Sequence, residues 1–569
     1  MYTAFLSSFS SGEISPKMRA RMDAQLYRTG CKTLRNFIVT KQGAVTRRPG
    51  TYYVASSTSP VRLIPFASSS GTFLLEFSDN RIRFYKEGGL VLSGGSPYEL
   101  TGTGYTWPAV GELQTAMVED SLWITHRNYP PKKLSRISDT SWTLTTISFT
   151  PTGTFATSGN YPGVIALHAG RVYLASTSNK PYAVWASRTP DVSTGNSRYT
   201  DFTMGVNPDD AITVLQEDIR GGRAQWLVSA RRLLLGTERG EYAATEDVPT
   251  PTTLAFPMQS REGSPAIQAV PFLGGVLHVV YNRKGAGFLT YSTERGGFVW
   301  SDVSYIAEHL FASGVIEVDT QRSPYQIAWF TMADGTLVSL VADPQSGFSA
   351  FSSHDLGAPV ESLAVLPSSG EDEVWVSVHR GSIRTIERFA PFNQSDINEL
   401  HYVDCGLRLA SDPPAYTFSG LSHLEGLKVS AIGDGAILPD VTVSGGSVSY
   451  TRPIGILHVG LPFLSVMETN PLQSPGESFG FGKKKRIAKA VLALYETLGG
   501  RVGTSIENAE PIIYRSSGNW EDTLPLFTGE KEKTVPGQIS TTPSLCFTQS
   551  QPYSATVLAV SAELSVLET

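Results

Sequence analysis

The sequence has 569 residues, of which 17% are charged and 10% are aromatic, and its formal net charge is -6. This length exceeds what one hydrophobic core usually supports, so it predicts two or three domains. The longest apolar run falls short of the roughly 18 to 20 residues that a membrane-spanning helix needs. We therefore expect no stable insertion into a membrane.

The chain has three cysteines, Cys31, Cys405 and Cys546. Their odd number and wide spacing predict neither a disulfide framework nor a cluster of metal ligands. The first residues also lack the basic head and continuous apolar core of a secretory signal. We expect assembly in a reducing cytoplasm, with no cofactor and no metal ion.

The first fifty residues carry nine Lys and Arg side chains against only Glu13 and Asp23. We predict an extended basic segment over residues 1–55. Such a segment either binds nucleic acid or an acidic partner, or forms a solvated or subunit-packing extension, and we favour the extension. The weak negative charge of the whole chain argues against a protein whose main task is to grip DNA.

A hairpin pattern then recurs about every fifty residues. Its copies begin at Phe73, Leu122, Val172, Leu233, Leu277, Ile327 and Val374. A four-stranded blade with its loops takes roughly 40 to 50 residues, and a blade cannot bury its faces alone. The repeat therefore predicts a β-propeller over residues 56–392, with seven blades and with six or eight as alternatives. The tryptophans that recur within these strands are expected to pack between blades.

The fifty-residue rhythm stops after Phe389, and shorter strand candidates follow between Gly, Pro and Asp turns. We predict a C-terminal β-barrel or sandwich domain over residues 393–569. Periodicity leaves the segment from Arg486 to Gly503 open between strand and helix. We favour strand, because Gly499 and Gly500 follow its apolar stretch and the neighbouring segments resemble strands.

A Ser/Pro/Gly-rich stretch before that segment ends in consecutive cations. It predicts an exposed mobile tip that includes Gly476, Ser478, Lys483, Lys484 and Lys485. The letters GESFG match the nucleophile elbow of serine hydrolases, but that elbow needs a strand before the serine and a helix after it. The same stretch misses the phosphate-binding loop by one residue of spacing. We expect neither chemistry here.

The search for other catalytic groups gives little. The nine histidines contain no HExxH motif. Asp334, Asp372 and Glu387 are the carboxylates that a propeller enzyme could gather at a central pocket, but each lies in or near a turn or strand end, where a solvated acid is the usual finding. We expect no two carboxylates to converge in one pocket and predict that the protein is not an enzyme.

Two groups of short motifs keep a fixed order along the chain. The first runs from SGEISP to RRPGT and consists of Ser11, Gly12, Glu13, Pro16, Arg21, Asp23, Asn36, Arg47, Arg48, Pro49 and Gly50. The second consists of Gly420, Leu421, His423 and Gly426. Together with the propeller hairpins, this order resembles the tail nozzle, or tail tubular, proteins of short-tailed bacteriophages over nearly the whole chain. The sequence departs from that family at Cys405, where relatives often have a serine, so essential chemistry at Cys405 is not expected.

The resemblance implies a structural virion protein. Nozzle proteins form a homo-hexameric ring at the distal end of the short tail, and DNA leaves through the lumen without sequence-specific binding. It further implies a tail adaptor protein and tail fibres or spikes as partners, and a location in the virion tail after assembly in the host cytoplasm. Two alternatives stay open from the residues: a propeller hydrolase that acts on host surface polysaccharide, and a lectin-like receptor-binding tail protein.

Overall fold

The computed structural model describes residues 2–191, 193–215, 222–343, 347–472, 482–514, 524–536 and 538–566. Nearly all of its secondary structure is β-strand. Among these residues, no helix has the length and apolar character needed to cross a bilayer.

The N-terminal part forms short strands. They are β1 (Tyr2–Leu6), β2 (Gly12–Glu13), β3 (Gly30–Arg35), β4 (Phe37–Val39), β5 (Val45–Arg47) and β6 (Thr51–Ser57), with a 3-10 helix at Pro16–Met18 and helix α1 at Gln25–Arg28.

Seven antiparallel sheets follow as blades 1 to 7. Blade 1 contains β7 (Arg62–Ser68), β8 (Gly71–Ser78), β9 (Arg81–Lys86), β10 (Gly89–Leu90) and, after the small hairpin of β11 (Leu92–Ser93) and β12 (Ser96–Pro97), β13 (Glu99–Thr101). Blade 2 contains β14 (Gln114–Val118), β15 (Ser121–His126), β16 (Tyr129–Ser138) and β17 (Ser141–Thr146). Blade 3 contains β18 (Val164–His168), β19 (Arg171–Ala175), β20 (Ala183–Ala186) and β21 (Ile212–Leu215).

The remaining blades complete the circle. Blade 4 contains β22 (Ala224–Ser229), β23 (Leu233–Thr237), β24 (Gly240–Ala243) and β25 (Met258–Ser260). Blade 5 contains β26 (Val270–Phe272), β27 (Gly275–Val279), β28 (Ala286–Ser292) and β29 (Gly297–Asp302). Blade 6 contains β30 (Val315–Gln321), β31 (Ile327–Met332), β32 (Leu337–Asp343) and β33 (Phe348–His354), and blade 7 contains β34 (Val360–Leu366), β35 (Glu373–Arg380) and β36 (Ile383–Phe389). Two 3-10 helices, Ala109–Glu112 and Ser304–Phe311, lie between blades.

The first strand of each blade lies beside the first strand of the next, and β34 lies beside β7. These seven inner strands therefore close a ring, and the predicted seven-bladed propeller is confirmed. The fourth strand of blade 7 is β6, which pairs with β36 in antiparallel register. Trp226, Trp329 and Trp375 are fully buried in the clusters between neighbouring blades, as expected for a structure that must cover both faces of every blade.

The C-terminal part contains a small sheet and a sandwich. The small sheet consists of β37 (Asp404–Ser419), β38 (Lys428–Gly433), β39 (Ala436–Thr442) and β40 (Ser447–Leu461), with a 3-10 helix at Ser422–Leu424. The sandwich strands are β41 (Ser465–Thr469), β42 (Lys485–Thr497), β43 (Arg501–Gly503), β44 (Glu510–Pro511), β45 (Phe527–Thr534), β46 (Cys546–Gln549) and β47 (Thr556–Val566). The segment left open between strand and helix, Arg486 to Gly503, forms strand β42 and the short strand β43.

The predicted extended segment over residues 1–55 needs correction. β1 and β5 pair with β47, and β3 pairs with β41, so the N-terminal strands complete the C-terminal sandwich. β2 and β3 also pair in parallel with β33, the outer strand of blade 6. Backbone N–H and C=O groups that are buried need partners, and these strands supply them for each other. The prediction failed because the many Lys and Arg residues of this segment drew attention away from the apolar residues that its strands turn towards the core.

Candidate functional site: the motif junction and the axial cavity

The residues of the RRPGT motif meet where the N-terminal strands, the propeller and the C-terminal sheets come together. Arg48 forms a two-pronged ion pair with Asp404, with Nη1–Oδ1 and Nη2–Oδ2 distances of 2.8 and 2.7 Å. Its remaining donors reach Asn36 Oδ1 at 2.9 Å, Pro49 O at 3.0 Å and Asp355 O at 2.8 Å. All five N–H groups of a buried guanidinium are thereby used, which is the condition under which a buried charge is tolerated.

Arg47 joins the same junction from the sandwich side. It donates to Ser465 Oγ at 3.1 Å, to the carbonyl of Phe463 at 2.9 Å and to that of Tyr553 at 2.8 Å. The Phe463 ring lies against both guanidinium groups, 4.2 Å from that of Arg47 and 3.9 Å from that of Arg48. The two arginines are therefore structural and fully buried. They are not part of an exposed basic surface.

Asn36 and Gly50 shape the backbone around these side chains. Asn36 has a positive φ of 58°, and its amide donates to the carbonyl of Leu464 at 2.8 Å. A Cβ atom on Gly50 would lie 2.0 Å from the carbonyl oxygen of Val403. Only glycine allows this approach of two backbone segments.

The SGEISP motif attaches the N-terminus to blade 6. Gly12 has a φ of +60°, and its Cβ would lie 2.4 Å from the carbonyl oxygen of Phe351 in β33. Glu13 accepts from the backbone N–H of Leu34 at 2.8 Å and contacts His309 Nε2 at 2.9 Å. Of the other residues in this motif group, Ser11 forms a hydrogen bond with the Thr29 hydroxyl, Pro16 begins the first 3-10 helix, and Arg21 forms an exposed ion pair with Asp23.

The second motif group anchors the small sheet. His423 donates from Nε2 to the carbonyl of Cys405 at 3.0 Å and stacks on Tyr53 with a ring separation of 3.8 Å. Leu421 is fully buried, while Gly420 and Gly426 turn the chain with positive φ angles. Cys405 is buried too, and burial raises the pKa of its thiol well above the usual range. That environment suits packing and opposes thiolate chemistry.

A buried histidine pair that the sequence analysis missed lies beside the junction. The Nδ1 atoms of His401 and His458 are 3.0 Å apart, and His401 Nε2 contacts the carbonyl of Thr51 at 3.1 Å. Burial lowers the pKa of His401 to about 3 and that of His458 to about 4, so both rings are neutral near pH 7. Only the fold brings them together, because 57 residues separate them in the chain.

The predicted tip is only partly within the described residues. Gly476 and Ser478 lie outside them, so the nucleophile elbow does too. Lys483 and Lys484 are exposed. Lys485 is buried at the start of β42, and burial lowers the pKa of its amine, so it does not belong to an exposed tip.

An axial cavity of about 900 Å³ lies inside the ring of inner strands. Contrary to expectation, carboxylates converge here, and they are Glu112, Glu317, Asp319 and Glu361. The acids named from the sequence lie elsewhere. Among the described residues that line this cavity, none is Asp334, Asp372 or Glu387. Asp334 accepts from Thr336 N within a turn, Asp372 from Arg322 N, and Glu387 pairs with Arg380.

Two of the cavity carboxylates, Glu317 and Asp319, connect neighbouring blades. Glu317 of blade 6 accepts from the backbone N–H of Leu363 in blade 7 at 2.8 Å, and Asp319 accepts from that of Val365 at 2.8 Å. Burial raises the pKa of both acids, that of Asp319 to about 7. Glu361 pairs with Arg384 and with His379. Inner strands of adjacent blades share no hydrogen-bond ladder, so these acids satisfy donors that would otherwise be unpaired. Among the described residues, no group of three or more His, Cys, Asp or Glu could hold a metal ion.

Among known proteins, the similarities found are to solved structures, at low sequence identity. No family model matches the chain, and no curated protein does. Among solved structures, the WD40 domain of Neurospora crassa Pan2 is 10% identical and covers 59% of this chain and 91% of its own, with a TM-score of 0.32. The RRP9 WD40 repeats are 10% identical over 60% of this chain and 99% of theirs, with a TM-score of 0.38. The U3-55K structure is 10% identical over 60% of this chain and all of its own, with a TM-score of 0.35. These likenesses carry no information on partners or activity.

Proposed function

We propose that this chain is a structural virion protein, the tail nozzle of a short-tailed bacteriophage, and that its homo-hexamer forms the distal channel for DNA ejection. One observation carries the proposal. The residues through which the sequence resembles nozzle proteins are used to join the parts of the chain, as the Arg48–Asp404 pair and the Gly50 contact illustrate. Residues with that role are expected in a protein whose function is its shape.

The axial cavity is consistent with this role. A volume of about 900 Å³ is that of a small-molecule pocket, and contacts to blade 7 occupy two of its carboxylates, Glu317 and Asp319. A DNA duplex therefore needs a channel between subunits. A ring of identical chains supplies one by repeating a single heterologous contact. A lumen that lets DNA pass should attract phosphate only weakly, because each ion pair adds affinity, and the net charge of -6 suits that requirement. The tail adaptor and the fibres or spikes are the proposed neighbours.

Electron microscopy of virions tests the proposal. Gold bound to a tag on this protein should mark the distal end of the short tail, and averaged end views should show six-fold symmetry at its level. Gold bound to a tagged capsid protein, which should mark the head, is the control. Absence of the protein from purified particles, or a symmetry other than six or twelve at its level, would defeat the assignment.

The second candidate is a hydrolase of host surface polysaccharide. The observation in its favour is the group of cavity acids, of which Asp319 has a pKa raised by burial to about 7, a value suited to a general acid. The nozzle proposal predicts that purified protein releases no reducing ends from host polysaccharide. Release that disappears in Asp319→Asn, while the variant keeps its fold, would favour the hydrolase.

A further inference from the structure

The axial cavity lies at the end of the propeller where the inner strands begin. Its wall contains the first residues of two such strands, Arg62 of β7 and Gln114 of β14. The turns between the second and third strands of blades 2 and 5 add Arg127 and Tyr281. In an antiparallel blade these turns lie at the same end as the start of the inner strand. All of these side chains therefore surround one mouth of the cavity.

Glutamine side chains with unused hydrogen-bonding groups line this cavity. Gln114 is only 6% exposed, and no described residue forms a hydrogen bond with its side-chain amide. Gln225 is equally buried, and its Nε2 donates to Glu238 Oε1 at 2.9 Å, but its Oε1 has no partner among the described residues. The same holds for Oε1 of Gln268. Buried amide groups nearly always have hydrogen-bond partners, so these glutamines favour a polar ligand with hydroxyl groups.

Charges of both signs line the cavity and offset one another. In addition to Glu317 and Asp319, the charged residues of the wall are Arg62, Arg127, Arg283, Glu112 and Glu361. Arg62 Nε lies 3.5 Å from Glu317 Oε1, so one cation is already paired with one acid. An anion in the cavity would meet the acids, and a cation would meet the arginines, because like charges repel at close range. The wall therefore favours an uncharged ligand.

Two aromatic side chains at the cavity are largely open to solvent. Trp107, which precedes the 3-10 helix at Ala109–Glu112, is 42% exposed, and Tyr281 is 56% exposed. The Trp107 indole lies over Gly111, where an added Cβ atom would be 3.7 Å from the ring. A sugar ring has an apolar face of C–H groups and a polar edge of hydroxyl groups. An exposed aromatic ring beside free amides matches both parts of such a ring.

We propose that the axial cavity binds a neutral carbohydrate. The amides of Gln114 and Gln225 bond to its hydroxyl groups, and Trp107 and Tyr281 pack against its ring faces. A volume of about 900 Å³ lies within the range of small-molecule pockets. The inference concerns binding alone and requires no bond cleavage. It goes beyond the proposed nozzle role and does not depend on it.

A glycan array that carries neutral, acidic and aminated oligosaccharides, probed with the purified full chain, tests the inference. We expect binding to neutral glycans. Calorimetric titration then compares the best neutral oligosaccharide, free in solution, with a polysaccharide that contains it. Equal affinity per site identifies a free sugar as a sufficient ligand, whereas much tighter binding of the polymer identifies a polysaccharide chain.

Cavity variants show whether binding takes place in the cavity. Gln114→Leu removes the free amide and keeps a side chain of similar size, and Tyr281→Ala removes an exposed ring. Each should bind the neutral oligosaccharide about three- to tenfold more weakly, the loss expected for one hydrogen bond or one packed ring. Tyr416→Ala is the matched control, because Tyr416 is 55% exposed and lies in β37, outside the propeller. It should bind like wild type.

Each outcome decides the inference. Weaker binding by both cavity variants, at unchanged melting temperature and with the control unaffected, supports it. Binding of wild type to no neutral glycan, or to acidic or aminated glycans only, overturns it. Equal binding by wild type and Tyr281→Ala overturns it too, and this variant still decides should Gln114→Leu fail to fold, because the Tyr281 ring is already in solvent. Failure here leaves the virion labelling experiment untouched, so the two proposals fail separately.

Discussion

Replacing Arg48 with methionine should disrupt the junction that joins the N-terminal strands, the propeller and the small C-terminal sheet. Methionine keeps much of the apolar stem but removes all five donors. The carboxylate of Asp404, 2% exposed, then remains buried without its cation. Breaking a buried ion pair from one side costs about 3–5 kcal/mol, because desolvation of the remaining charge is no longer compensated.

Urea unfolding separates the cost of the unpaired Asp404 carboxylate from the loss of the ion pair itself. It compares wild type, Arg48→Met, and the double variant Arg48→Met with Asp404→Leu. The double variant removes both charges, and replacing a buried pair by apolar groups is often close to neutral, so it should regain most of the lost stability. Arg21→Met is the matched control, because Arg21 forms an ion pair that is exposed to solvent, and it should unfold like wild type. A loss below about 1 kcal/mol for Arg48→Met, the range of surface ion pairs, would refute the reasoning.

Two further predictions concern the same region. The folded-state pKa values of His401 and His458 lie below the unfolded value of about 6.5, so the unfolded chain binds more protons, and stability is lost as pH falls from about 6.5 towards 4. Each ring should account for a loss of roughly 2 kcal/mol in the free energy of unfolding between pH 7 and pH 5. Thermal unfolding of the variant with glutamine at both positions should therefore depend less on pH. A pH dependence of stability equal to that of wild type would contradict the prediction that both histidines are neutral in the folded protein. Gly50→Ala should destabilise the fold by about 1–3 kcal/mol, because the added Cβ atom would overlap the Val403 carbonyl. Gly370→Ala is the control, because a Cβ atom there would lie in open space, and this variant should melt like wild type.

The propeller could be predicted from the sequence because its contacts are local. Each hairpin pairs strands only a few residues apart, and the turn of Asp334 and Gly335 between β31 and β32 is visible in the sequence itself. The fourth strand of blade 7 was harder to predict from the sequence, because it is β6, which precedes blade 1 in the chain. Sequence periodicity gives no information on such a closure.

The candidate sites, too, could be predicted from the sequence only in part. The motif residues were found from their order, but their roles were not, because the partner of Arg48 lies 356 residues away. The convergence of Glu317 and Asp319 with Glu361 was missed for a related reason. Residues on the inner strands of different blades share no spacing, and the axis brings them together only when the ring closes.

The sequence by itself determined the repeated hairpins, their number and the strand character of the C-terminal part, because turn residues and alternating apolar side chains act over a few residues. Only the tertiary structure decided that strands of the basic N-terminus belong to the sandwich. A buried cation such as that of Arg47 or Arg48 is stable only where carbonyl and carboxylate oxygens surround it, and these oxygens come from residues far away in the sequence. The same packing decided which sheet surface, with Phe5 and Tyr495 on it, faces solvent.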